Sequence, residues 1–151
     1  MRFLFVDRID HLVRSRRARG RKTVSFEEGF LRSPYSRPGE FPRLLVLESV
    51  AQLASWLVLY STDFEQVPVL ARLEKVEIRE SIMTGDRLTL DIEIVSLDPD
   101  GACLRAEVLK EGRLIGRGEN CVCAFTPLDT LADPGTMRAT FKELTRHAVL
   151  E

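Results

Sequence analysis

The run Leu44-Leu45-Val46-Leu47-Glu48-Ser49-Val50-Ala51-Gln52-Leu53-Ala54-Ser55-Trp56-Leu57-Val58-Leu59 contains a single ionisable side chain, Glu48. It is shorter than the roughly 20 apolar residues that span a bilayer. It is also too apolar to lie on a protein surface, so it predicts a helix at the centre of a globular fold. The helix is expected from about Leu44 to Tyr60, because no Gly or Pro interrupts it, and apolar residues on nearly every face predict burial all round. Trp56 and Tyr60, four residues apart, would stack along one face as core packing. A carboxylate in such surroundings must be hydrogen-bonded, protonated or in use. Glu48 is therefore the first candidate site residue.

The second half of the chain changes period. Val76 and Ile78 begin an alternating pattern, and Leu88, Leu90, Ile92 and Ile94 alternate with Thr89, Asp91 and Glu93, as in a half-buried strand. Asp98-Pro99-Asp100-Gly101 turns the chain into Ala102, Leu104, Ala106 and Val108, and Glu111-Gly112 turns it into a long strand reaching Phe125. Earlier, Phe3-Leu4-Phe5-Val6 reads as a short first strand, and Thr23-Val24-Ser25-Phe26 is strand-like. Residues 32–43, with Pro34, Pro38, Gly39 and Pro42, read as a fixed irregular loop. Beyond Pro127, Asp133-Pro134 caps a helix carrying Met137, Phe141, Leu144 and Ala148 at helical spacing. The expected architecture is α+β, an antiparallel sheet wrapped around the apolar helix over residues 1–126, with a C-terminal helical extension over 127–151. An open sheet leaves edge strands, and pairing with a second copy or a similar chain would protect them.

Residues 1–43 carry a net charge of +6 and residues 44–151 one of −7. The basic part peaks at Arg14, Arg16, Arg17, Arg19, Arg21 and Lys22. It reads as a solvated face or as an electrostatic dock, centred on Arg14, Arg16, Arg17 and Arg19, for an acidic partner. Without interleaved aromatics it does not resemble a nucleic-acid surface. Cys103, Cys121 and Cys123 form no CxxC pair and have only His11 and His147 as imidazole company, so neither a metal nor a cofactor is expected. The start of the chain has no apolar run of signal-peptide length, which predicts a cytoplasmic protein with no membrane association.

Three ordered segments resemble the hotdog-fold family of 3-hydroxyacyl-thioester dehydratases that act on acyl carrier protein substrates in fatty-acid biosynthesis. Arg2-Phe3-Leu4-Phe5-Val6-Asp7-Arg8-Ile9 resembles its entry strand, ending in Val-Asp-Arg. Phe41-Pro42-Arg43-Leu44-Leu45-Val46-Leu47-Glu48-Ser49-Val50-Ala51-Gln52 resembles its central-helix motif, Met-Pro-Gly-Val-Leu followed by Glu-Ala-Met-Ala-Gln. Leu73-Glu74-Lys75-Val76-Glu77-Ile78-Arg79, with Thr84-Gly85-Asp86-Arg87-Leu88, resembles the segment ending in Pro-Gly-Asp-x-Leu. The similarity ends near Phe125. In the family a histidine takes the proton alpha to the thioester carbonyl, and the helix glutamate helps protonate the departing 3-hydroxyl, while helix N-terminal N–H groups steady the thioester oxygen. The resemblance thus implies Glu48 as the acid and Arg43, Leu44 and Gln52 as substrate-binding residues.

The chain departs from that pattern at the base. The family's histidine lies fourteen residues before the glutamate, where this sequence has Pro34 in Ser33-Pro34-Tyr35-Ser36. Tyr35 is the nearest substitute, although a phenol of ordinary pKa near 10 would need strong activation. Arg43 replaces the glycine that starts the family's helix, and neither His11 nor His147 matches the missing base. Three functions follow. The first is a 3-hydroxyacyl-carrier-protein dehydratase-like protein (a lyase of lipid metabolism if active), alone or dependent on a partner chain. The second is a non-catalytic hotdog that binds acyl thioesters or completes a heterodimer. The third is an acyl thioesterase in which Glu48 activates water. Acyl carrier protein or coenzyme A thioesters would be the ligands.

Overall fold

Buried Leu90 and Ile92 lie opposite buried Val108 and Ala106 on the next strand, so one face of the sheet is apolar and turned inward. On the other face the register is marked by charge. Arg19 opposes Asp91, Glu93 opposes Arg105, and Glu107 opposes Arg117. Each of these opposed pairs is also an ion pair. Cross-strand pairs of opposite charge favour one alignment over its neighbours, and a slip of one residue would turn every leucine outward.

The structure is a computed structural model and describes residues 4–31 and 37–151. Its elements are β1 (Arg8–Val13), β2 (Arg17–Thr23), α1 (Arg43–Ser61), β3 (Gln66–Ile78), β4 (Arg87–Asp98), β5 (Gly101–Lys110), β6 (Arg113–Pro127), α2 (Pro134–Leu144) and β7 (Val149–Leu150). Among the described residues the strands form one sheet in the order β3-β6-β5-β4-β2-β1-β7, antiparallel except for β1 with β7. α1 packs on the apolar face, with Val46, Leu53, Leu57 and Leu59 fully buried. This is the hotdog architecture expected from the sequence. Gly20 permits the approach of β2 to α1, since a Cβ there would stand 3.0 Å from Arg8 O and 3.1 Å from a Leu53 methyl.

Several expectations need correction. α1 runs to 19 residues, long and apolar enough to cross a membrane by length and composition, yet the sheet covers it on one side. It is not buried all round: Leu44 is 77% exposed, and Glu48 and Ala51 are exposed on the same side. The opening strand lies at Arg8–Val13 rather than Phe3–Val6. It pairs with a strand hidden within the basic run, where outward Arg17, Arg19 and Arg21 alternate with inward Ala18, Gly20 and Lys22. β3 begins at Gln66, ten residues before the alternation that starts at Val76. It is an edge strand with much of its length in solvent, so burial imposes little alternation on it.

The C-terminal segment adds more than a helix. Asp133 caps α2 by accepting the Thr136 N–H at 2.7 Å, with Pro134 at the first helical position. Phe141 stacks on Tyr60 with ring centroids 5.6 Å apart and meets Phe64 edge-on at 5.2 Å. β7 then joins β1 in parallel, covering that edge of the sheet. The opposite edge, β3, has no further strand beside it among the described residues.

Candidate functional site

The entrance to α1 is held against the loop before β4. Phe41 N–H donates to Ile82 O at 2.7 Å, Thr84 N–H donates to Gly39 O at 2.8 Å, and Gly39 takes a φ of 79° that favours glycine. Pro42 precedes the helix, and among the described residues no side chain caps its first N–H groups. Arg43 and Leu44 therefore sit in an exposed first turn, with Arg43 contributing a positive charge beside Glu40. The Arg37 N–H, with the Ser81 hydroxyl, holds the Glu40 carboxyl below its ordinary pKa.

Glu48 lies one turn further along. Gln52 Nε2 donates to Glu48 Oε1 at 2.9 Å, and Gln52 Oε1 accepts the Phe5 N–H at 2.8 Å. The carboxylate is thus on the exposed side of α1 and hydrogen-bonded, not enclosed in core. Its neighbours Leu47 and Ala51 do line a recess under the helix. Between α1 and the sheet is an apolar cavity of about 140 Å³, walled in part by Val50, Ala54, Leu73, Ala106 and Cys121. Its open side is at β3, where Leu70 is 58% exposed and Val69, Leu73 and Val76 are also in solvent. Burial pushes the Cys121 and Cys123 thiols up in pKa, so both are weak nucleophiles in the cavity wall.

The structure brings together Glu48, Gln52, Arg43 and Leu44 at the N-terminal half of α1. Pro34 and Tyr35 fall outside the described residues. His11 is on the outer face of β1, with Nε2 3.0 Å from Glu151 Oε1, and His147 is exposed between α2 and β7. The arginines divide. Arg14 pairs with Asp63 at 2.9 Å and lies 4.7 Å from the Tyr60 ring centroid, and Asp63 raises its pKa. Arg19 makes a two-pronged pair with Asp91 at 2.7 and 2.8 Å, which raises its pKa as well. Arg16 and Arg17 are exposed, and neither has an ion pair among the described residues. Ser15 N–H donates to Ser61 Oγ at 2.8 Å, so this hairpin lies at the far end of α1, roughly 20 Å along its axis from Glu48 at 1.5 Å per residue.

Sequence reading placed Lys22 in the basic run without seeing its role. Its side chain is 3% exposed, ion-paired with Glu28, and its Nζ stands 5.8 Å from the ring centroids of both Phe5 and Phe41. The signal was its place in the Ala18-Gly20-Lys22 alternation. No group of three or more His, Cys, Asp or Glu side chains among the described residues is arranged to hold a metal.

Comparison with known proteins agrees with this fold. The 3-hydroxyacyl-[acyl-carrier-protein] dehydratase FabZ of Caldicellulosiruptor bescii is 29% identical over 118 residues, covering 78% of this chain and 84% of its own. The protein of the same name from Symbiobacterium thermophilum is 33% identical over 96 residues, 63% and 68% of the two chains. Among solved structures, a hot-dog-like protein from Thermanaerovibrio acidaminovorans superposes with a TM-score of 0.63 at 18% identity, covering 83% of this chain and 90% of the other. A Streptococcus mutans protein bound to acetyl CoA gives 0.63 at 12%, covering 84% and 92%. The dehydratase heterocomplex ApeI:P from Xenorhabdus doucetiae gives 0.62 at 15%, covering 91% and 89%. The FabA-like domain family matches residues 1–119, and the chain belongs to that family.

Proposed function

We propose that this chain is an acyl-thioester-binding subunit of a 3-hydroxyacyl-carrier-protein dehydratase, and that a second hotdog chain on the β3 edge completes it. One observation carries the reading: the apolar cavity lined by Leu47 and Ala51, which flank Glu48 on α1, opens at the edge strand β3. Val69, Leu70, Leu73 and Val76 leave apolar side chains in solvent along β3, an edge that a neighbouring strand would cover. The described residues near Glu48 include no imidazole, and Pro34 stands where the family's base is expected, so the partner would supply the proton acceptor. Similarity to a named dehydratase heterocomplex supports such a pairing.

In the complete site the partner's base removes the alpha proton. Glu48 then protonates the departing hydroxyl, Gln52 orients it, and the uncapped N–H groups of Arg43 and Leu44 face the thioester oxygen. Tyr35 is a lesser candidate for the same neighbourhood. An acidic carrier protein would reach Arg16 and Arg17 most readily, because Arg14 and Arg19 are already paired. Replacing Arg16 and Arg17 with glutamine is expected to weaken carrier binding and flatten its salt dependence; unchanged binding would remove this dock.

The test offers 3-hydroxyacyl, enoyl and saturated acyl thioesters to the purified chain, alone and with a neighbouring hotdog chain. Dehydration only in the mixture, lost with Glu48→Gln in this chain, is the expected result. Release of free thiol by the chain alone would favour the thioesterase reading, in which Glu48, held as an acceptor by Gln52, activates water.

A further inference from the structure

Ala106 on β5 and Gly118 on β6 are direct register partners on the inward face of the sheet. A methyl and a hydrogen therefore stand beside inward β5 positions that carry Leu104 and Val108. Ala51, Ala54 and Ser55 line the same cavity from α1. The cavity is the space these short side chains leave. Its lining continues from exposed Leu73 on β3, past Gly118 and Cys121 on β6 and Ala106 on β5, to Ile92 on β4. Three strand spacings of about 4.8 Å separate β3 from β4, so an occupant entering at the edge passes beneath α1 across the sheet.

We propose that the opposed pair Ala106–Gly118 sets how far an acyl chain enters, and thereby selects thioesters whose chains beyond the 3-position are short and carry no polar substituent. The proposal rests on the acyl-thioester reading of the site. At about 140 Å³ the cavity suits a short hydrocarbon chain rather than a long one. The lining offers such a chain almost no polar company. Ser55 Oγ is committed to Ala51 O at 3.0 Å. The charged residues at the margin, Glu77 and Arg117, are exposed and engaged by Arg79 and Glu107 respectively. A hydroxyl or carboxylate within the buried part of the chain would lose water and gain nothing.

The two β6 residues permit opposite alterations. A Cβ at Gly118 would stand 3.4 Å from Cys121 Sγ and 4.0 Å from Ala106 Cβ, so the first carbon fits and the branches of valine enter the void. Cys121→Ala removes a sulfur from the same wall and enlarges it. Binding of S-acyl pantetheines from acetyl to dodecanoyl is measured by calorimetry on the full chain and both variants, with circular dichroism melts to establish folding. For the unaltered chain, affinity is expected to rise about fourfold per methylene up to about hexanoyl and to rise no further beyond it. Gly118→Val is expected to move that limit about two carbons shorter and weaken hexanoyl binding at least tenfold, and Cys121→Ala to move it longer. If folded Gly118→Val and Cys121→Ala bind with the same length profile as the parent, the depth proposal is overturned while the acyl-binding reading stands. If no pantetheine of any length binds the unaltered chain, both fall. Should Gly118→Val not fold, the Cys121→Ala profile alone decides.

Discussion

Gln52 fixes Glu48 as a hydrogen-bond acceptor, donating from Nε2 to Oε1 at 2.9 Å while its own oxygen receives the Phe5 N–H at 2.8 Å. An amide so placed cannot flip without setting oxygen against carboxylate and nitrogen against N–H at once. The N-terminal segment therefore orients the candidate acid through Gln52, although Phe5 and Gln52 lie 47 residues apart in sequence. Sequence alone offered Gln52 as a residue one turn from Glu48. The contact to Phe5 belongs to the tertiary fold and had no sequence signal.

This relation separates the chemical roles of Glu48. Glu48→Gln is expected to lower dehydration by the completed complex about 100-fold or more, the usual minimum for a positioned acid or base. It should scarcely alter melting, because the side chain is exposed. Gln52→Glu places a second carboxylate against the first, and like charges raise the pH at which the pair gives up its proton. If Glu48 works as an acid, the alkaline limb of the pH–rate profile moves upward. If it works as a base toward water, the acidic limb moves instead. A profile that moves in neither limb would remove Glu48 from proton transfer.

Lys22 and Glu28 form the most enclosed ion pair of the described residues, with side-chain exposures of 3% and 16%. Glu28 also accepts the Ser25 N–H at 2.8 Å, so the pair anchors the segment after β2 beneath Phe5 and Phe41. Lys22→Met retains length but strands the carboxylate, at an expected cost of about 3 kcal/mol in urea unfolding. Lys22→Met combined with Glu28→Leu should recover much of that loss, since the desolvation penalty goes with the charges. Additive losses in the double variant would mean that the two residues stabilise the fold independently.

Apolar periodicity reveals an element only where it separates a buried face from a wet one. The β4–β5 hairpin was legible because leucines and valines alternate with charges across it. β2 was not, since its buried positions are Ala18, Gly20 and a lysine, and β3 was not, since much of it faces solvent on the single chain. The cavity was illegible for a related reason. It is made by what Ala106 and Gly118 lack, and small residues in a strand look the same whether they face a void or a tight contact. β7, two residues long, pairs through its backbone and has no pattern to read.

Acid stability should depend on Asp86. Burial alone would raise its carboxyl pKa, but Lys110 Nζ at 2.7 Å and the Met83 N–H at 2.8 Å outweigh burial and hold it below the ordinary value. A carboxyl depressed in the folded state stabilises that state above its unfolded pKa near 4, and the contribution is lost as pH falls through the lower folded value. Asp86→Asn is therefore expected to lower stability at neutral pH and to reduce the slope of unfolding free energy against pH below about pH 4. Equal slopes for the two proteins would show that Asp86 does not contribute to the acid transition.

The C-terminal segment should be integral to the fold. Phe141 is the shared face of an aromatic cluster, with Trp56, Tyr60 and Phe64 at centroid distances of 6.1, 5.6 and 5.2 Å. Phe64 itself has a left-handed backbone, φ 64°, a conformation costing a non-glycine residue about 1–2 kcal/mol. Its contact with Phe141 and the Arg138 guanidinium, 4.5 Å from its ring centroid, help to hold it there. Phe141→Ala is expected to cost about 3–5 kcal/mol, the range for removing a buried phenylalanine. The chain has one tryptophan, and Trp56 is 4% exposed, so its fluorescence reports the cluster directly. Emission should shift to the red in folded Phe141→Ala, and further when residues 132–151 are removed. An unshifted spectrum together with an unchanged melt would show that α2 rests on α1 without contributing to its core.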